Sequence, residues 1–207
     1  MKTQILEGNQ IWEDGELIGQ LQLDEGQRAG PFVIIESCGS VNVVKPTVEE
    51  SRMSLSEGKK GSALMTLEGR FQMADTKNAN GRIYPESIWK KVFEASEEGV
   101  LQRVERGEML GETDHPKDGE TRLARVAGKV SRVWRNENNS KEIMGRFVVF
   151  DTESGRNLKA IHEGGGRLGV SSRGQGSVVR MDGSDVVQED FNLQTWDVVH
   201  NPSTPGA

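Results

Sequence analysis

The chain has 207 residues, 34% hydrophobic and 28% charged, with 25 glycines and a net charge of −6. That length can bury a core of ordinary domain size while loops and solvated surface take a large share. The acidic balance and the lack of any basic run exclude nucleic acid as a general partner, because phosphate binding needs clustered Lys and Arg.

Residues 1–60 differ from the rest, with ten acidic and six basic side chains and therefore four of the six net negative charges. The N-terminus "MKTQILEGNQIWEDGEL" meets Glu and Asp before any apolar run develops. Neither a signal peptide nor a membrane span is expected there, and the chain reads as cytosolic. "IWEDGELIGQLQL" and "PFVIIES" can pair as strands, whereas "KPTVEESRMSLSEGKKGS" reads as a polar connector. A boundary near residue 60 follows, with 1–60 as an acidic segment and 61–207 as the main domain. Cys38, the one cysteine, excludes an internal disulfide, fits a reducing compartment and reads as a structural thiol.

"SALMTLEGRFQMAD" (62–75) alternates as a strand, with a bulge expected at Gly69. After the loop "TKNANGRIY", Pro85 suits a helix's first turn. Ile88, Trp89, Val92, Phe93, Val100, Leu101 and Val104 recur at three and four, with Gly99 a point where the helix can break. "RLARVAGKVSRVW" and "KEIMGRFVVFD" read as two strands joined by a polar turn, and "TESGRNLKAIHEGGG" as a short helix closed by glycines. "RLGVSS", "GSVVRMDG" and "DVVQEDFNLQTWDVV" complete the strands. The fold class is mainly β with helices (α+β).

Three histidines are available to activate a nucleophile: His115, His162 and His200. His115 lies in the glycine-bearing loop "MLGETDHP", where a polar side chain can be held at a domain surface, while His162 sits in a short helix. Glu112 and His115 have an E-x-x-H spacing that can serve a metal, and with Asp197 they define a metal-dependent hydrolase as an alternative. No second His or Cys pair completes such a site, so no metal and no cofactor are expected.

"NGRIYP" before the helix, "LGETDHP" after it, "GVSSRGQGS" some 55 residues later and the terminal "WDVVHNPSTPGA" together resemble the prohead core proteases of T-even-type phages. These are serine peptidases that share the fold of the herpesvirus assemblins. The resemblance runs in order from about residue 62 to the end. It implies an assemblin-like β-barrel surrounded by helices, with Ser171 as nucleophile and His115 as general base. Ser172 is the alternative nucleophile, although it faces the other way if the strand continues. Asp197 matches the family's Asp on its last core strand. His200 is the alternative third member, by analogy with the second His of the assemblins, and Asp114 stands too close in sequence to His115. Arg173 is expected either to support the oxyanion or to form a surface salt bridge.

The resemblance also implies cleavage after Glu in Leu/Ile-x-Glu followed by a small residue. Glu7, Glu25, Glu36, Glu57 and Glu163 fit that pattern, and four precede residue 58. The N-terminal segment therefore reads as a cleavable pro-region, with Glu57–Gly58 the expected boundary. The implied partners are phage scaffold or core proteins and the major capsid protein as substrates, inside a prohead assembling in the host cytoplasm. No membrane is expected, and self-association is left open. The rival reading is a catalytically silent head-assembly or scaffold protein of the same fold.

Overall fold

The computed structural model describes residues 63–94 and 99–200 in full; before residue 63 it describes the backbone of the strands named here. Strands β1 (Gln4–Glu7), β2 (Gln10–Glu13) and β3 (Glu16–Gln20) pair as a small antiparallel meander. β4 (Phe32–Val44) is followed by the two-residue strands β5 (Ser54–Leu55) and β6 (Lys59–Lys60) and by β7 (Ala63–Met73). After β8 (Arg82–Ile83) come helices α1 (Glu86–Val92) and α2 (Val100–Glu105), then β9 (Leu110–Glu112). A hairpin of β10 (Val126–Asn136) and β11 (Asn139–Phe150) leads into helix α3 (Glu153–Glu163). The chain ends in β12 (Gly169–Gly176), β13 (Val178–Met181), β14 (Ser184–Val187) and β15 (Asn192–Val199).

One seven-stranded sheet, in the order β15-β12-β4-β7-β11-β10-β9, organises the molecule. Its neighbours are antiparallel throughout. The architecture is mostly β with a few helices, as expected. A closed barrel is not formed: β9 and β15, the sheet's two edges, meet at a single parallel bridge between Thr113 and Val198 rather than along a ladder. Beside that bridge the Asp114 N–H donates to the Val198 carbonyl at 3.0 Å.

Three local expectations change. β4 lies inside the segment set apart by composition, yet its backbone pairs with β12 on one side and β7 on the other. The main sheet therefore begins well before residue 60. The irregularities in β7 fall at Phe71, between the Gln72 and Arg70 pairings, and at Leu64, between the Met65 and Ala63 pairings, and not at Gly69, which pairs in register with Gly145. A side chain at Gly145 would collide with the Phe71 ring, so the ring takes the space that the missing Cβ leaves. "DVVQEDFNLQTWDVV" is two strands, β14 and β15, interrupted over residues 188–191. The helix expected around Gly99 is divided in two, but the first part, α1, already ends at Val92, and Gly99 precedes the first turn of α2.

The core lies between the helices and one face of the sheet. Trp196 of β15 is fully buried, tilted against Phe71 with ring centroids 5.5 Å apart and stacked on Trp89 of α1 at 6.4 Å. Tyr84 and Phe191 extend this cluster edge to face at 5.4 Å. Aromatic side chains bury about 150–250 Å² each, so this cluster is a dominant part of the core and fixes which face of β15 turns inward.

Candidate active site

Strand alternation turns successive side chains to opposite faces. With Trp196 committed to the core, Asp197 must point to the other face, and so must Ser171, which lies directly across from it in the β12–β15 register. Ser172 pairs with Trp196 instead. β12 does continue through this point, so the two serines face apart as their positions suggest. The Ser172 hydroxyl is buried and has no hydrogen-bond partner among the described residues. Arg173, two residues on from Ser171, returns to the Asp197 face.

The third element arrives from the opposite edge of the sheet. Gly111 of β9 packs so close to β15 that a Cβ there would strike the Trp196 carbonyl oxygen and the Phe147 ring. Two residues past β9, Asp114 takes a left-handed conformation with φ 60°. Asp is among the few residues that tolerate this, and the turn swings the chain out of the sheet. Pro116 then biases His115 toward extended backbone. The imidazole, 13% exposed, comes to rest between Ser171 and Asp197.

His115 Nδ1–H donates to Asp197 Oδ2 at 2.7 Å, and the Ser171 hydroxyl donates to His115 Nε2. A carboxylate only accepts, so the neutral tautomer with its proton on Nδ1 satisfies both contacts. Asp197 also accepts the Glu112 backbone N–H at 2.8 Å, Arg173 Nε at 2.8 Å and Arg173 Nη2 at 3.1 Å. Ser171, Arg173 and Asp197 are all fully buried.

The expected residues separate accordingly. Ser171, His115 and Asp197 come together; His200 is exposed just past the end of β15, Asp114 is exposed, and His162 lies exposed on α3. Arg173 is no surface salt bridge, since its guanidinium is buried against Asp197, Gly119 and Thr121. The Glu112 carboxylate accepts the Arg122 N–H and faces Arg125 at 3.4 Å, so it serves its own loop and does not join His115 as a ligand. Among the described residues no group of three or more His, Cys, Asp or Glu could hold a metal ion.

Two further features were not read from the sequence. The Glu112 N–H and the side-chain-free face of Gly111 both act through backbone geometry, which residue type does not reveal. Where β9 and β15 diverge, a cavity of about 520 Å³ opens beside the site, lined by Gly119, Thr121, Gln175, Gln194 and Thr195 with Arg103 on its wall. Arg103 donates to the carbonyls of Leu193, at 2.8 Å, and Gln194. Burial pushes the Arg103 guanidinium below its ordinary value and Arg106 adds to this, against an opposing pull from Glu108.

Of the five Glu positions, Glu36 sits within β4 in register with Ser172, Glu7 ends β1, and Glu163 is the exposed last residue of α3. Glu25 and Glu57 lie outside the described residues.

A serine, an imidazole and a carboxylate in this chain of contacts can deliver an alkoxide to an acyl carbon. Comparison with known proteins agrees in kind. The chain is 32% identical over 145 residues to the prohead core protein protease of Enterobacteria phage T4, a match spanning 68% of this chain and 66% of that protein. It also superposes on the structure of the bacteriophage T4 capsid assembly protease with a TM-score of 0.67 and 25% identity, covering 83% of this chain and 99% of that one. The family model for prohead core protein serine proteases matches residues 27–207, which takes in β4 and every element of the site. A match of that extent, over a chain that carries these residues at these positions, means that the protein belongs to the prohead core protein serine protease family.

Proposed function

We propose that the chain is a serine endopeptidase of the assembling phage prohead that cleaves scaffold or core proteins and the major capsid protein. The observation that carries this reading is the continuous contact from Ser171 through His115 to Asp197 across the seam of the sheet. Ser171 Oγ attacks the substrate carbonyl carbon while its proton passes to His115 Nε2. Asp197 stays ionised and stabilises the imidazolium through Nδ1–H. Collapse of the tetrahedral oxyanion breaks the C–N bond, with the proton going from Nε2 to the departing amine. Water, deprotonated by the same imidazole, then releases the acyl group from Ser171.

The finer parts of the reading are cleavage after Glu in Leu/Ile-x-Glu, self-processing, and an assemblin-like relationship in which the seven-stranded sheet is a barrel left open at the catalytic seam. The position of β4 bears on self-processing. Loss of residues 1–57 would take β4 out of the sheet, whereas a cut at Glu25–Gly26 would leave it intact. We therefore move the favoured boundary from Glu57 to Glu25, one residue before Gly26 and just ahead of the span matched by the family.

Incubation of the purified chain with a peptide containing Leu-x-Glu-Gly, followed by mass spectrometry of peptide and protein termini, tests the proposal. The expected result is cleavage after Glu that the Ser171→Ala variant lacks. Unimpaired cleavage by that variant would end the serine endopeptidase reading. New protein termini only outside residues 1–58 would end the pro-region part alone.

A further inference from the structure

Arg173 was expected at the oxyanion or in a surface salt bridge, and its contacts point elsewhere. Nε and Nη2 grip the two oxygens of Asp197 at 2.8 and 3.1 Å, Nη1 donates to the Gly119 carbonyl at 2.6 Å, and Nη2 donates to Thr121 Oγ1 at 3.0 Å. Four of the five guanidinium N–H donors are thereby used within the protein. The side chain stands on β12, the strand that carries Ser171, and reaches both β15 and the loop that follows His115.

The consequence for Asp197 is that Oδ2 is shared by His115 and Arg173, while Oδ1 is shared by the Glu112 N–H and Arg173. Rotation of the carboxylate would break contacts from three elements together. The loop is tied down along its length as well. Arg125 Nη2 donates to the Thr113 carbonyl at 2.9 Å, Arg173 holds Gly119 and Thr121, and Glu112 accepts the Arg122 N–H. His115 sits within this span.

We infer that Arg173 is a positioning residue of the proposed endopeptidase: it fixes Asp197 and the His115 loop to the strand of the nucleophile, and it acts on turnover through them and not on the substrate. The inference rests on the reading of Ser171, His115 and Asp197 given above. A lysine could supply the charge but not the planar fork that spans two carboxylate oxygens and a carbonyl, so Arg and Lys are not equivalent at this position.

The test is a double-mutant cycle of Arg173→Gln and Asp197→Asn, read by single-turnover cleavage of a Leu-x-Glu-Gly peptide with thermal melts of every variant. Arg173→Gln alone should lower kcat by about 100-fold with KM changed less than about 2-fold, the size expected of a misplaced catalytic group. In the Asp197→Asn background the same change should lower kcat by less than about 5-fold, because the group it positions no longer functions. Equal losses in the two backgrounds, or wild-type turnover of Arg173→Gln, would overturn the inference. If Arg173→Gln has no folding transition, Arg173→Lys decides: a loss in kcat of about 10-fold at constant KM supports positioning, and a raised KM at constant kcat refutes it. Full activity of Ser171→Ala would instead bring down the underlying endopeptidase reading, and the role of Arg173 with it.

Discussion

The two faces of the β12–β15 pair are built from alternate residues of the same two strands and obey opposite rules. On the inner face Val170, Trp196 and Val198 are fully buried among apolar neighbours, and Trp196 stacks on Trp89. On the outer face Ser171, Arg173 and Asp197 are as completely buried, yet they are paired through polar contacts: Ser171 with His115, and the Asp197 carboxylate through four contacts from Glu112, His115 and Arg173. Apolar burial gives the inner face its stability without direction. The outer face gains little net stability from its ion pair, because desolvation offsets the attraction, but the pair has direction. The inner face thus sets the register, and the outer face uses that register to align a serine, an imidazole and a carboxylate.

The largest expected effect comes from removing the proposed nucleophile on the outer face. Ser171→Ala should reduce kcat by up to about 10⁶-fold, as in serine proteases where the nucleophile is deleted, while leaving the melting temperature near that of the parent. Next is Asp197→Asn, for which a loss of about 10⁴-fold in kcat is expected because the amide favours the wrong imidazole tautomer. His200→Ala, outside the contact chain, should stay within about 2-fold on the scale of ordinary surface changes. Peptide turnover for all three variants checks the order, and a larger loss for His200→Ala than for Asp197→Asn would reverse the assignment of the third member.

The seam offers a way to disturb the outer face without touching its polar atoms. Gly111→Ala places a methyl group against the Trp196 carbonyl and the Phe147 ring, so β9 must withdraw from β15. Glu112, whose N–H holds Asp197, and His115 beyond it withdraw with the strand. Misplacement of about 1 Å can cost about 100-fold in rate, and that is the expected loss in kcat. Turnover and a thermal melt together tell displacement from unfolding. Unchanged turnover would show that the seam tolerates looser packing than its geometry suggests.

How much of this was legible in the sequence depends on whether the cause was local. The strand at 63–73, the hairpin of β10 and β11, and the start of α2 after Gly99 follow from alternation, turn composition and glycine. β4 was set apart because composition is read in windows along the chain, whereas its place between β12 and β7 depends on partners far away in sequence. A bulge in β7 was sought at Gly69 because glycine weakens a strand, but the register shifts lie at Leu64 and at Phe71, where a ring has to reach the face that Gly145 leaves open. Ser171, His115 and Asp197 were singled out by family resemblance, and no spacing rule could have brought His115 across the sheet to them. The direction of Arg173 was missed for a related reason. Adjacency to the serine pair suggested a role beside the scissile bond, but strand alternation and the Asp197 carboxylate on the neighbouring strand determine where its guanidinium goes.

The smallest expected effect is on the inner face, at Ser172, and it is the sharpest test of the contrast between the two faces. Its hydroxyl is buried in register with Trp196 and has no partner among the described residues. Burying a hydroxyl without a partner costs about 1–3 kcal/mol by mutational measures, so Ser172→Ala removes an unfavourable term and leaves behind a void of a single oxygen. The expected outcome is a melting temperature equal to or a few degrees above the parent's, since about 1 kcal/mol shifts a domain of this size by roughly 2–4 °C. Turnover should change by less than about 3-fold, because the substitution leaves the outer-face contacts in place. Ser171→Ala, one residue away, should show the reverse pattern of lost turnover and preserved melting. If Ser172→Ala instead abolished turnover while Ser171→Ala did not, the faces would be exchanged, with Ser172 as the nucleophile and the Trp196 side of the pair as the site.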